Sequence, residues 1–483
     1  MSSSERQADT PAVDGWLHFA GIGGSGMSGL AQYHAQAGRP CSGSDRAFDD
    51  GRHPEIRAGL ERTGAIILPQ DGSFVTAGRS DGPLAGRSCA AVVVSTAVED
   101  KVPDVKAARE AGIPILHRSE LLAHHVATHR TIAVSGTSGK STVTGMVFTI
   151  LRAGGLGPGL LTGGPLAALT AAGHIGNAWA PRPAAGAAPL LVIEADESDG
   201  SLVRYRPWAG VVLNLGLDHK EPAEVLAMFT AFKANVTGPL VVAADANLTS
   251  LHEGAHLCGV GPDPRPGTWA EDVELMPDGS AFTVAGTRFI LPVPGLYNVL
   301  NATAAIAVCR QAGLEVADMA APLADFAGIG RRFQKIGAAA GCEVIDDFAH
   351  NPDKIAAALT AARRRTTGRV LAVFQPHGYG PTRFLRRALV DTFAASLDPG
   401  DLLWLPEIYF AGGTVTRDIS SSDLVAEILA RGREARFLPR REDIPRAIAD
   451  EARPGDVIIV MGARDPSLTG FCRDILGELA DRS

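Results

Sequence analysis

The segment TIAVSGTSGKST covers residues 131–142, and its reading sets the architecture of the whole chain. Thr131–Val134 has the apolar character of a strand, Ser135 to Lys140 form a glycine-bearing turn, and a helical pattern begins near Ser141. A turn of this kind curls backbone amides round an anion, and the following helix adds the positive end of its dipole. Gly136, Thr137, Ser138, Gly139, Ser141 and Thr142 are therefore expected to cradle the phosphates of a nucleotide. Lys140 is expected to reach the β/γ-phosphates, and the Ser141 hydroxyl to ligate Mg²⁺. The general pattern places a further glycine where Val134 stands, so the match is to the shorter GTxGK[ST] form. The bland alternative is a glycine-rich strand–helix turn with an exposed lysine. The strand before and the helix after favour nucleotide binding.

Working outward, the apolar run Leu190–Ile193 leads straight into Glu194-Ala195-Asp196-Glu197-Ser198-Asp199. Parallel α/β sheets place ligand contacts beyond strand C-termini, and a dense carboxylate cluster there suits hard Mg²⁺. The next expected strand, Gly210–Asn214, is followed by Asp218 and His219, the latter a second metal ligand or a proton carrier. Singly, these residues also read as a helix cap and a loop histidine.

A second glycine turn lies upstream. Trp16–Ala20 reads as a strand, Gly21-Ile22-Gly23-Gly24-Ser25-Gly26 as the turn, and Met27–Ala37 as a helix, with Asp45 at the spacing of a ribose-binding acid. Alone, this pattern points to a dinucleotide-dependent oxidoreductase. The downstream phosphate loop discriminates against it, because a simple dehydrogenase has no use for a second one.

Apolar strands alternate with Ala-rich helical stretches along the rest of the chain. Further strands are expected at Ala90–Ser95, Ile113–Leu116, Glu343–Ile345, Val370–Phe374, Asp401–Leu405 and Asp456–Met461, a helix at Val102–Ala111, and a loop at Ala180–Ala188. With 483 residues, the pattern divides into three α/β domains at 1–128, 129–333 and 334–483. A net charge of −8 argues against a general nucleic-acid surface. No apolar run reaches the length of a membrane span, and the polar start lacks a signal-peptide core. Six scattered cysteines without metal-ligand spacing read as reduced thiols of a cytoplasmic protein.

In order along the chain, Gly21–Gly29, Gly136–Ser141, Glu194–Asp199, Asn298-Val299-Leu300-Asn301-Ala302, Gly330-Arg331-Arg332-Phe333, Asp346–His350 and Phe374-Gln375-Pro376-His377 resemble the motifs of the Mur ligases. These are ATP-dependent amide-forming enzymes of peptidoglycan synthesis, and the chain is most similar to their alanine-adding branch. The resemblance implies a Rossmann-like UDP-binding domain, a central P-loop ATP-binding domain and a C-terminal Rossmann-like domain. It implies that Gly21, Gly23, Gly24, Ser25, Gly26, Met27, Ser28 and Asp45 hold the UDP-sugar. Lys140 would hold ATP phosphates, and Ser141, Glu194 and His219 the metals. Asn298 and Asn301 would contact adenine, Asp347 the ribose, and Arg332 with its neighbour Arg331 phosphate. The substrates implied are UDP-N-acetylmuramate, ATP with Mg²⁺, and an amino acid lying against Phe348, His350, His377 and Arg383.

The chain departs from that branch at Phe348, Asn351 and Gly378, where the alanine-adding enzymes carry Tyr, His and Arg, and at Tyr297, where they carry His. The segment Gly378–Arg383 is also one residue longer. These changes leave three readings open: an alanine ligase, a Mur-type ligase taking another amino acid or a wall tripeptide, and a non-catalytic nucleotide-binding relative. Lys233 stands near the place of a metal-bridging carbamylated lysine in other branches; an ordinary helix lysine is the expectation here.

Overall fold

The computed structural model describes residues 15–79, 82–218, 220–410, 416–463, 465 and 467–482; His219 lies outside them. Three sheets follow one another along the chain. The first has five parallel strands in the order Ile66–Ile67, Cys41–Ser44, Trp16–Ala20, Cys89–Val94, Ile115–His117. Its central strand, fully buried as WLHFA, carries the first glycine turn at its C-terminal end. That is the point at which strand order reverses, where a parallel sheet opens a crevice.

The second sheet has ten strands. Arg130–Ser135 sits between Ala209–Val212 on one side and Leu190–Glu194 on the other, in parallel register with both. LLVIE at 190–194 is apolar until its last residue, as a strand covered on both faces must be. The phosphate loop thus rises from the middle of the sheet, with Glu194 and Asn214 leaving the two flanking strands beside it. The far edge is extended by Gly267–Met276, Gly279–Val284 and Thr287–Leu291, paired antiparallel. The third sheet pairs Gln334–Ala339 antiparallel with Cys342–Asp347 and continues in parallel through Val457–Met461, Val370–Phe374, Leu402–Leu405 and Ala435–Phe437.

The expected strands are all present, Trp16–Ala20 and Val370–Phe374 to the residue and the others with ends shifted by at most two. The helix expected from Met27 starts two residues earlier and spans Ser25–Gln36, and Leu213 and Asn214 fall outside their strand. Ala180–Ala188 is irregular, as expected. Five of the six cysteines are buried, Cys89 is half-buried, and all are free thiols.

Cores do not stop at unit boundaries. One apolar cluster joins Leu17, Phe19, Leu30 and Val126 to Leu161, Ala178 and Leu191 of the second sheet. Polar contacts follow the same seam: Gln32 Nε2 donates to Asn177 Oδ1 at 2.7 Å, and the Ala180 amide to Gln36 Oε1 at 2.8 Å. Between second and third units, Leu217 and Tyr297 pack into the core of the third sheet. Among the described residues, no helix is long and apolar enough to cross a membrane.

Candidate active site

The phosphate loop is shaped by its neighbours. Asn214 Oδ1 accepts from Thr137 Oγ1 at 2.9 Å and from the Ser138 amide at 2.8 Å, and Asn214 Nδ2 donates to Ser138 O at 3.1 Å. Gly139 has φ +86, and a Cβ there would sit 2.4 Å from Asn301 Oδ1. Only glycine permits both the left-handed backbone and that approach. Asn301, expected beside adenine, therefore lies against the loop itself. Asn298 stands one helical turn earlier, its Nδ2 donating to Pro294 O at 2.8 Å.

Lys140 opens the helix Lys140–Ala153 and points back over the loop. Its Nζ donates to Gly136 O at 2.9 Å and Glu197 Oε2 at 2.6 Å, with Asp196 Oδ1 at 3.4 Å. Burial alone would lower the pKa of this ammonium, but Asp196, Glu197 and Glu194 outweigh it and hold it well above its ordinary value. Burial raises Glu197. For Asp196, burial pushes the same way, yet Lys140 and Ser198 bring it down to about 2. The lysine is thus a fixed cation over the glycine loop, balanced by carboxylates.

Glu194 Oε1 accepts from Thr162 Oγ1 and from the Gly163 amide at 2.9 Å. Its Oε2 lies 3.2 Å from where a Cβ of Gly163 would stand, and Ser141 Oγ 3.7 Å from that of Gly164. A hydroxyl and a carboxylate oxygen thus face the same glycine pair, which fits a hard divalent cation sharing its shell with phosphate oxygens and water. Among the described residues, no group of three or more His, Cys, Asp or Glu forms an all-protein cage. Lys233 lies on the helix Pro222–Asn235, and its Nζ donates to the carbonyls of Leu251 at 2.9 Å and Glu253 at 2.6 Å. Two carbonyl acceptors suit an ammonium, not a carbamate.

The hinge arginines part company. Arg332 reaches the phosphate loop, with Nη2 3.4 Å from Ser141 Oγ and its guanidinium 4.5 Å above the Phe348 ring. Arg331, expected to help bind phosphate, turns the other way. Its guanidinium donates to both Asp346 carboxylate oxygens at 3.2 Å, Asp465 O at 3.0 Å and Gly462 O at 2.8 Å. Arg331 adopts φ +57 and Phe333 φ +48, a left-handed hinge that sends consecutive side chains apart. Arg331 ties the hinge to the third sheet; the phosphate role is corrected accordingly.

Asp347 leaves the third sheet beneath Arg332 and accepts from the amides of Phe333 and Ala349, each at 2.6 Å. Burial raises its pKa to about 6, against the pull of Arg332. Phe348, expected in the amino-acid pocket, is a platform for Arg332 and meets the His350 ring edge-on at 5.5 Å. His350 donates from Nδ1 to Phe348 O at 2.8 Å, stands 5.6 Å from His377 ring to ring, and is brought down to about 4 by burial. The two imidazoles are adjacent. Arg383 is not with them in an open clamp: it is about half exposed and salt-bridged to Asp418, with Thr416 O at 3.2 Å.

At the first glycine turn, the amides of Gly21 and Ile22 donate to Ser44 O, and that of Gly23 to Asp45 Oδ2 at 2.9 Å. Asp45 Oδ1 accepts from the Ala47 amide, so this acid braces the turn from both oxygens. The helix Ser25–Gln36, which holds Met27 and Ser28 in its first turn, has no side-chain cap, leaving its N-terminal amides for a ligand.

Two constellations escaped the sequence reading. Asp218 receives Asn351 Nδ2 at 2.9 Å and Lys354 Nζ at 2.7 Å, with His350 Nε2 at 3.4 Å. Three residues of the third unit thus converge on one carboxylate of the second. Arg118 of the first unit pairs with Asp199 of the second at 2.5 Å. Sequence separations of 133 to 136 residues in one case and 81 in the other leave no local signal.

Known proteins carry the same order of parts. Residues 17–130 match the Mur ligase family catalytic domain, 134–309 the Mur ligase middle domain, and 331–464 the Mur ligase glutamate ligase domain. The chain is 36% identical to the UDP-N-acetylmuramate–L-alanine ligase of Agrobacterium fabrum, covering 94% of this chain and 95% of that one. It is 35% identical to the enzyme of that name from Methylocella silvestris, over 96% and 98%. The solved UDP-N-acetylmuramate–alanine ligase of Thermotoga maritima superimposes with a TM-score of 0.76 at 25% identity, covering 97% of this chain and 99% of that one. With three domain models in order and relatives alike over almost their whole length, the chain belongs to the Mur ligase family.

Proposed function

We propose that the chain joins L-alanine to the carboxylate of UDP-N-acetylmuramate at the expense of ATP; the relatives described above are named as ligases of those two substrates. Residues 1–128 hold the sugar nucleotide, 129–333 the ATP, and 334–483 the amino acid and part of the ATP. The observation carrying this reading is Arg332, which crosses from the hinge to within 3.4 Å of Ser141 Oγ, next along the chain from Lys140, so that two cations stand at the phosphate loop.

A carboxylate is a poor acyl donor because its leaving group is oxide. Phosphorylation by ATP converts it to an acyl phosphate, and the neutral amine of alanine then displaces phosphate to form the amide. Lys140 and Arg332 stabilise the charge on the phosphoryl group in flight, and the loop amides fix its direction. Mg²⁺, taken by Ser141 and Glu194 with His219 at a second position, supplies further neutralisation when bound. Asp347 orients the ribose. His350 is neutral at physiological pH and lines the amine's approach with His377. No side-chain nucleophile is needed; the protein orients and neutralises. A reaction on ATP and a UDP-sugar supports a cytoplasmic location.

The test is phosphate release from ATP in the presence of UDP-N-acetylmuramate and single amino acids, with the product weighed by mass spectrometry. L-Alanine should give a product heavier by one alanyl residue. Phe348 beneath Arg332 and Arg383 on Asp418 make a wall tripeptide the informative competitor. If it outcompetes alanine, the acceptor changes. Silence with every acceptor leaves only a non-catalytic relative.

A further inference from the structure

One ion pair spans the seam between first and second units at the first glycine turn. Arg118 is the first residue of the helix Arg118–Thr128, and its Nη2 donates to Asp199 Oδ2 at 2.5 Å. Both side chains are largely covered, at 25% and 17% exposure. A Cβ on Gly26 would stand 2.9 Å from Arg118 Nη1. The guanidinium therefore rests on the uncapped first turn of the helix Ser25–Gln36, where backbone amides already favour an anion. Asp199 Oδ1 is used separately, accepting from the Ser201 amide at 2.9 Å. Two residues upstream, Glu197 grips Lys140. A short line of charges thus runs from one anion cradle to the other.

We propose that Arg118 binds the pyrophosphate of the sugar nucleotide and that Asp199 is its internal competitor. On arrival of the ligand, Arg118 exchanges the Asp199 carboxylate for a phosphate oxygen. The acidic segment 196–199 then loses its tether to the first unit while ATP is being engaged on its other side. Guanidinium forks match phosphate in bidentate geometry as well as they match carboxylate, so one anion can replace the other on Arg118. The inference rests on reading the glycine turn as the UDP-sugar site.

The experiment is calorimetric titration of the full chain with UDP-N-acetylmuramate, without ATP. Arg118→Ala should raise the Kd about tenfold to a hundredfold, with Arg118→Lys recovering part of the loss. Asp199→Asn keeps the Oδ1 acceptor for Ser201 and removes the competing charge, so it should lower the Kd about threefold, the scale of a partly exposed ion pair. The double variant should match Arg118→Ala. A purely architectural pair predicts that both single variants weaken binding. That result, or an Arg118→Ala Kd within about twofold of wild type, overturns the exchange. Failure of the wild type itself to bind the sugar nucleotide overturns the site reading, and the exchange with it. Melting curves of each variant, with Arg118→Lys as the conservative control, separate loss of folding from loss of binding.

Discussion

Lys140 is the residue most readily mutated to test nucleotide use, and the structure predicts that such a test reads two effects at once. Its side chain is 14% exposed and neutralises Glu197, itself 4% exposed, and Asp196, 42% exposed. Removing the ammonium strands the Glu197 carboxylate in a covered site. Breaking a buried pair from one side costs about 3–5 kcal/mol, and at about 2–4 °C per kcal/mol for a unit of this size the melting midpoint should fall by roughly 6–20 °C. Glu197 escapes part of the penalty by taking up a proton, which burial already favours. The deficit of Lys140→Ala against wild type should therefore be smaller at about pH 5 than at about pH 8. Adding Glu197→Gln should restore most of the midpoint and none of the phosphate release. Differential scanning fluorimetry of the three proteins at both pH values, beside the activity assay, reads all of this. If Lys140→Ala melts within about 2 °C of wild type, the electrostatic account of this loop is wrong.

Arg331→Ala should cost about 2–4 kcal/mol in chemical unfolding, since it bares the buried Asp346, while Arg332→Ala should leave stability nearly intact and cut kcat about 10²–10³-fold. Equal behaviour of the two would contradict the opposed hinge. Asp347, raised to about 6 by burial, should lose its charge as pH falls, so KM for ATP should rise below about pH 6 and Asp347→Asn should abolish that slope. The same shift has a stability sign. An acid whose folded pKa lies above its unfolded value, about 3.9, contributes stability that is full below pH 4 and gone once pH passes about 6. Acid-side unfolding midpoints of Asp347→Asn and wild type should therefore converge at low pH. Glu194→Gln should raise the Mg²⁺ concentration needed for half-maximal rate about tenfold while leaving the calorimetric Kd for the sugar nucleotide unchanged, because that ligand's cradle lies in another unit.

Much of the framework was legible because parallel strands covered on both faces are continuous apolar runs, as LLVIE, VLAVF and VIIVM are here. Both glycine turns were legible at strand exits. The strand Cys41–Ser44 did not, since CSGS reads as a turn. It is buried because Ser42 bonds His18 and Ser44 bonds Asp104, partners far along the chain. The antiparallel extension over 267–291 was also missed, its strands being mixed in polarity and breaking the βαβ rhythm. At the site, the sequence named Arg331 and Arg332 together; only a backbone with φ +57 at Arg331 shows that the guanidiniums diverge. Asp45 was expected at the sugar nucleotide from its spacing; the structure shows its oxygens bracing the turn, which spacing alone does not reveal. Arg118 and Lys354 carried no motif and were found by proximity.

Asp218 of the second unit gathers Asn351 and Lys354 of the third, a polar latch across the seam between them. For the two units to part, a lysine and an amide must let go of one acid. Turnover in this ligase should accordingly be paced by unlatching, and viscosity of the medium, more than the leaving ability of the phosphate, should set its tempo.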